Sequence, residues 1–359
     1  PLLWIDSRTG KVYHEIIQNF RGRGFWSMPA EKQRKGVLMM IELSDVRQAQ
    51  ERITPYILRT PLLRQPALDP ILGCQVYLKH EGLQFTGSFK LRGATNALLS
   101  LTEEERSRGV VAASSGNHAQ GVACAAQRLG VDAVIVMPTN VNPVKLEGCK
   151  AFGARTMLVG TLSSEREAAA AHLVETEGRV FIHPFDNAQV SAGQGTIGLE
   201  VLEDEPEMDA VVVPIGGGGL ISGIATAVKG LSDRCEMVGV EPAGAPRYAK
   251  SLEAGHPVQL DHVDTIADGT RTDHGVERNF EVIRQRVDRL AQAEDEWIKK
   301  AVKLLVSKAK IVAEPSSVMG VAAVLGGGLK FRPDQKVCFV LSGGNNDLGL
   351  LARWLQEED

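Results

Sequence analysis

The stretch Ala210-Val211-Val212-Val213-Pro214-Ile215-Gly216-Gly217-Gly218-Gly219-Leu220-Ile221-Ser222-Gly223 decides the architecture. Ala210 to Ile215 is apolar and mostly β-branched, which reads as a strand buried on both faces. Gly216 to Gly219 follow, and Leu220 to Lys229 then read as a helix. In a strand–glycine–helix arrangement, backbone N–H groups and the helix dipole converge on an anion. Phosphate is the favoured ligand, because a purely structural turn rarely needs so long a glycine run. Gly217-x-Gly219-x-x-x-Gly223 partly mimics a dinucleotide fingerprint. Glu241 ends the next strand, where a ribose-binding acid would stand. The last glycine falls one position late. On this stretch alone an NAD(P)-binding oxidoreductase stays open.

Working outward, short apolar runs alternate with helical patterns. Strands are expected at Gln75–Lys79, Val110–Ala113, Ala133–Met137, Thr156–Val159, Met237–Glu241 and Val337–Leu341, besides Ala210–Ile215. Helices are expected at Asn117–Leu129, Pro143–Phe152, Ser164–Glu177 and Leu220–Lys229. Pro143 suits a first helical turn, with Asn142 as its N-cap. Gly130 and Gly153 suit C-terminal stops. Such alternation predicts an α/β fold with a mostly parallel sheet. Ligands of such sheets bind beyond the carboxyl ends of the strands.

Three further strand ends carry polar chemistry. Gly87-Ser88-Phe89-Lys90-Leu91-Arg92-Gly93-Ala94 follows Gln75–Lys79 and sets a lysine at a helix start. The positive end of a helix disfavours ammonium and lowers the amine pKa, which suits Lys90 to Schiff-base formation. Taken alone, most lysines are solvated surface groups. Ser114-Ser115-Gly116-Asn117-His118-Ala119 is a small polar turn that opens a helix and suits a carboxylate. Leu341-Ser342-Gly343-Gly344-Asn345-Asn346 closes the last strand and could deliver a hydroxyl into a crevice.

Composition narrows the function classes. A net charge of −4 gives no reason to expect nucleic acid or an anionic membrane as partner. Aromatic residues, at 5 %, are too few for a base-stacking platform. No apolar run approaches the roughly 20 residues that span a bilayer. Cys74, Cys124, Cys149, Cys235 and Cys338 are scattered without a C-x-x-C pair, which fits buried thiols in a reducing cytoplasm. Residues 1–38, with Trp4, Trp26 and a basic excess, read as a poorly ordered extension without catalytic role. Regular patterning begins at Met39 or Met40.

The four strand ends together are what pyridoxal phosphate requires: an amine for its aldehyde, donors for its phosphate, and partners for its ring nitrogen and phenolic oxygen. The chain resembles the fold type II pyridoxal-phosphate enzymes, within them the threonine/serine dehydratase and serine racemase family. The motifs run in order: Ile53-Thr54-Pro55, Thr60-Pro61-Leu62, Lys79-His80-Glu81-Gly82-Leu83-Gln84, Thr86 to Ala94, Ser114 to Gly121, Gly193-Gln194-Gly195-Thr196, the glycine run, Glu314-Pro315 and Ser342-Gly343-Gly344-Asn345. The resemblance, from about Ile41 to about Leu355, sets the oxidoreductase reading aside.

The resemblance implies a tryptophan-synthase-β-like architecture of two lobes, each a mostly parallel twisted sheet flanked by helices. The large lobe would comprise 39–103 and 185–359, the small one 104–184, with the cofactor in the cleft between them. It makes Lys90 the Schiff-base lysine and Phe89 the residue against the ring. Asn117 becomes the partner of the phenolic oxygen, Gly216 to Gly219 with Leu220 the phosphate cradle, and Ser342 the partner of the ring nitrogen. Ser114, Ser115, Gly116 and His118 fall in the loop that grips the substrate carboxylate. A serine beside the ring nitrogen implies a weaker electron sink, which favours loss of a β-leaving group over aminotransfer. The expected activity is dehydration of a small 3-hydroxy amino acid. The alternative is racemisation, with Lys90 and Ser115 as acid/base groups on the two faces. The cation site of serine racemases pairs Glu241 with a second acid, but Arg247 stands there, so no metal is expected. Relatives usually form homodimers.

Overall fold

The computed structural model describes residues 2–5, 12–15, 40–141 and 143–357. Strands β1 (Leu2–Ile5) and β2 (Val12–Glu15) pair antiparallel. The other calls on residues 1–38, and the N-cap expected of Asn142, lie outside the described residues. Strands β3 (Leu62–Arg64), β4 (Gln75–His80), β5 (Val110–Ala113), β6 (Ala133–Met137), β7 (Arg155–Leu158) and β8 (Val180–Phe181) come next. Strands β9 (Ala210–Pro214), β10 (Glu236–Pro242), β11 (Arg289–Ala293) and β12 (Lys336–Leu341) complete the set.

The chain divides into two compact units. The larger joins Met40–Gly93 to Phe185–Asp359. It holds a six-stranded sheet in the order β11-β10-β9-β12-β4-β3, parallel throughout except for β3. Alternate residues of each strand enter opposite cores. Val212, Val238, Phe339 and Leu78 pack on one face with the helix Met319–Leu325. Val211, Val213, Cys338 and Val340 pack on the other with the helix Gly219–Leu231. Both faces are therefore covered, which is why these strands are apolar along their whole length.

The smaller unit is built on Ala94–Pro184, with β1 and β2 grouped with it. Its four-stranded sheet, β7-β6-β5-β8, is all parallel. Val111, Val134, Val136 and Met157 pack there against Ala169, Ala170 and Leu173 of the helix Ser163–Glu177.

The expected α/β class is the observed one. Strands Val110–Ala113 and Ala133–Met137 and the helix Asn117–Leu129 form over the expected residues. The other expected strands move by a residue at one or both ends, as terminal pairing allows. The sequence reading places no strand at β1, β2, β3, β8 or β11. Strand β11 is an edge strand of which only Ala293 is fully buried, so it lacks the apolar run. Strand β8 is two residues long. Pro143 does open its helix. Gly130 takes the left-handed C-cap conformation, φ 66°.

Candidate active site

Sheet order places the chemistry. In the larger unit β12 lies between β9 and β4, all parallel, so their carboxyl ends share one edge. Strand β4 leads to Lys90, β9 to Gly216–Gly219 and β12 to Ser342. Backbone bonds lock two of these segments together. The Phe89 amide donates to the Ser342 carbonyl (3.0 Å) and the Gly344 amide to the Gly87 carbonyl (2.9 Å). The Asn345 side chain donates to the Thr86 carbonyl (2.8 Å).

Lys90 is the first residue of the helix Lys90–Leu99 and is partly buried. Its Nζ stands 5.0 Å from the centre of the Phe89 ring. Burial lowers the amine to about 8. The helix terminus predicts a lowering, and the cause in the structure is desolvation.

The glycine run has carbonyls on one side and free amides on the other. The Gly216 carbonyl accepts from Arg247 Nη1 (2.6 Å). The Gly217 carbonyl accepts from Tyr248 Oη (2.9 Å) and Asn279 Nδ2 (2.8 Å). Among the described residues, the amides of Gly217, Gly218, Gly219 and Leu220 donate to no protein acceptor. Gly218 has φ +86°, and a Cβ at Gly217 would lie 2.3 Å from the Phe185 ring. No side chain fits there, and the amides are left to hold an anion.

Ser342 is buried, and its Oγ lies 3.1 Å from Ser317 Oγ. Ser317 is clamped in turn by Gly343, donating to its carbonyl and accepting from its amide, each at 2.7 Å. Glu314 Oε1 accepts from the Asn345 amide (2.8 Å). An amine, an anion cradle and a fixed hydroxyl thus stand on adjacent strand ends. That donor set fits the aldehyde, phosphate and ring nitrogen of pyridoxal phosphate.

The remaining candidates belong to the smaller unit, at the end of β5. Ser114 Oγ accepts from the Gly116 amide (3.3 Å), closing a tight turn. Ser115 is partly buried, and a Cβ at Gly116 would meet nothing within 4 Å. Asn117 opens the helix Asn117–Leu129. The His118 imidazole is buried, with Nε2 2.8 Å from the Ile182 carbonyl, and anchors the loop. Sequence reasoning missed Phe185, Tyr248 and Asn279, which carry no local signal because they act on glycines far along the chain.

The chain as a whole is similar to known proteins. The model of the family described as "Pyridoxal-phosphate dependent enzyme" matches residues 53–343. L-threonine ammonia-lyase of Thermotoga maritima is 43 % identical over 314 residues, covering 88 % of this chain and 78 % of that protein. Serine racemase of Oryza sativa subsp. indica is 40 % identical over 314 residues, covering 86 % and 92 %. The structure of maize serine racemase superposes with a TM-score of 0.84 at 38 % identity, covering 88 % of this chain and 97 % of that one. The chain belongs to the pyridoxal-phosphate dependent enzymes, of the fold type II group that holds threonine ammonia-lyase and serine racemase.

Proposed function

We propose that the protein is a threonine/serine ammonia-lyase, converting a 3-hydroxy amino acid to a 2-oxo acid and ammonia. One observation carries this: a lysine lowered to about 8, a run of unpartnered amides and a fixed serine hydroxyl on the adjoining ends of β4, β9 and β12. When bound, pyridoxal phosphate supplies an aldehyde that captures the substrate amine and a conjugated ring that accepts the electron pair at Cα.

The chain's own residues do the rest. The amides of Gly216 to Gly219 and Leu220 would bind the phosphate. Phe89 would pack against the ring, Ser342 would serve its nitrogen, and Asn117 would serve its phenolic oxygen. Ser114, Ser115, Gly116 and His118 form the loop that binds the substrate carboxylate. Lys90 Nζ, largely neutral just above pH 8, takes the Cα proton and holds it. The β-hydroxyl departs as water with the proton that Lys90 gives up, and the released enamine takes up water to give 2-oxo acid and ammonia.

Racemisation is the second reading, favoured by Ser115. Reprotonation from the other face needs a second acid/base group, and Ser115 is the residue available for it. Incubation with L- and D-3-hydroxy amino acids, followed by 2-oxo acid assay and chiral chromatography, tests both. No 2-oxo acid from any of them would refute the lyase reading, and unchanged enantiomeric composition would refute the racemase.

A homodimer is supported by the exposed apolar side chains of Leu83 (50 %), Phe85 (45 %), Val312 (45 %) and Leu348 (74 %). Light scattering of the purified protein tests it. A cytoplasmic location is supported by five free, buried cysteines. Among the described residues, no helix is long and apolar enough to cross a membrane.

A further inference from the structure

Arg247 has no exposed surface, and its side chain enters no ion pair among the described residues. Nη1 donates to the Gly216 carbonyl (2.6 Å), and Nη2 donates to the carbonyls of Ala245 and Thr270 (2.9 Å each). Glu241 lies near enough to favour the charged guanidinium, but its oxygens accept from the amides of Tyr248 and Ala249, at 2.9 Å each. A guanidinium stays protonated even when buried. Its hydrogen bonds therefore go to three carbonyl dipoles, while Glu241 and Asp273 favour its charge through space without bonding to the guanidinium.

The direction of the clamp matters. A peptide unit whose carbonyl is drawn to one side presents the following N–H to the other. Arg247 draws the Gly216 carbonyl, and Tyr248 and Asn279 draw that of Gly217. The next amides, those of Gly217 and Gly218, are among those with no protein acceptor. Arg247 also ties the glycine run to the segments after β10 and around Thr270, so the loop is held from three sides.

We propose that Arg247 is a positioning residue of the phosphate site. It fixes the peptide planes of the glycine run and adds its positive charge through that backbone, without touching the ligand. The proposal rests on the reading of the glycine run as the cofactor-phosphate cradle.

The test compares pyridoxal phosphate with pyridoxal, which lacks the phosphate, in wild type, Arg247→Met and Arg247→Lys. Binding of each is read by absorbance, and the bound phosphate by phosphorus NMR. Arg247→Met is expected to weaken pyridoxal phosphate by about tenfold to a hundredfold, the range of a charged hydrogen bond. Pyridoxal should be unaffected and the phosphorus resonance displaced. Arg247→Lys keeps the charge but cannot span three carbonyls, so it should recover affinity only in part. It carries the comparison by itself if the methionine variant does not fold. Equal weakening of both aldehydes, or no weakening of either, overturns the proposal. Borohydride reduction of the wild-type holoenzyme with peptide mapping separates the two readings. Label absent from Lys90 would defeat the cofactor assignment. Competition by inorganic phosphate, lost in Arg247→Met, would still uphold the positioning role.

Discussion

Arg92 grips Glu200 with both ends of its guanidinium, Nη1 to Oε1 at 2.6 Å and Nη2 to Oε2 at 2.9 Å, in the fully buried floor beneath the lysine helix. Nε and Nη2 hold Glu81 in the same way, at 2.8 and 2.9 Å. Lys79 Nζ completes the network on Glu200 Oε2 at 2.6 Å. Arg92 lies two positions after Lys90, so this network also fixes where the helix begins. Arg92→Met leaves Glu81 buried without its ion-pair partner and Glu200 with Lys79 alone. We expect a loss of about 3–5 kcal/mol in unfolding free energy. Denaturant titration should show it as a lowered midpoint at unchanged slope.

The same network predicts an acid limb. Burial opposes ionisation of Glu81, but Arg92, Lys79 and the Thr60 hydroxyl outweigh it and hold the carboxyl below the usual range. A depressed carboxylate gives stability that is complete above the unfolded value, about 4.3, and is lost as pH falls through the folded one. Unfolding midpoints should therefore drop steeply on acidification below roughly pH 4. Glu81→Gln should be less stable at neutral pH and flatter below it.

Lys90 gives the kinetic counterpart. Its amine, lowered to about 8 by burial, is the reactive form only when neutral. Uptake of pyridoxal phosphate by the apoprotein should speed up with rising pH and level off above about 8. Lys90→Ala should show neither turnover nor a visible cofactor band. Cofactor fixed to that variant by borohydride reduction would place the attachment elsewhere.

Gly217→Ala should disturb the cradle sterically. The added methyl would lie 2.3 Å from the Phe185 ring, so one of the two must move. Overpacking of about 1–3 kcal/mol corresponds to a loss of cofactor affinity of roughly fivefold to a hundredfold. Combining it with Phe185→Ala should restore part of that affinity. Equilibrium dialysis against pyridoxal phosphate measures both variants.

Ser115→Ala separates the two reactions. A second-face acid is worth about a hundredfold or more to racemisation, whereas elimination does not need it. Chiral chromatography of residual serine should show D-serine formation falling by that factor. Release of 2-oxo acid in the same incubation should change far less. Equal loss of both would make Ser115 a carboxylate-binding residue only.

Sequence alone determined the elements whose cause is local. Ala133–Met137 is recognisable because a strand buried on both faces needs five consecutive apolar side chains. The helix Asn117–Leu129 is bounded by a glycine on either side. The glycine run and Lys90 are legible as chemistry because few other uses need those residues at a strand end. Strand order, by contrast, follows from which apolar faces pack, and the tertiary structure alone set β12 between β9 and β4. The cause of the lowered Lys90 amine is likewise tertiary, since burial is a property of the packed chain. The partners of the Gly216 and Gly217 carbonyls sit 31 residues away at Arg247 and Tyr248, and 62 away at Asn279. Hydrogen bonds across such separations leave no pattern in the sequence, because they depend on where folding brings the two segments and not on their spacing.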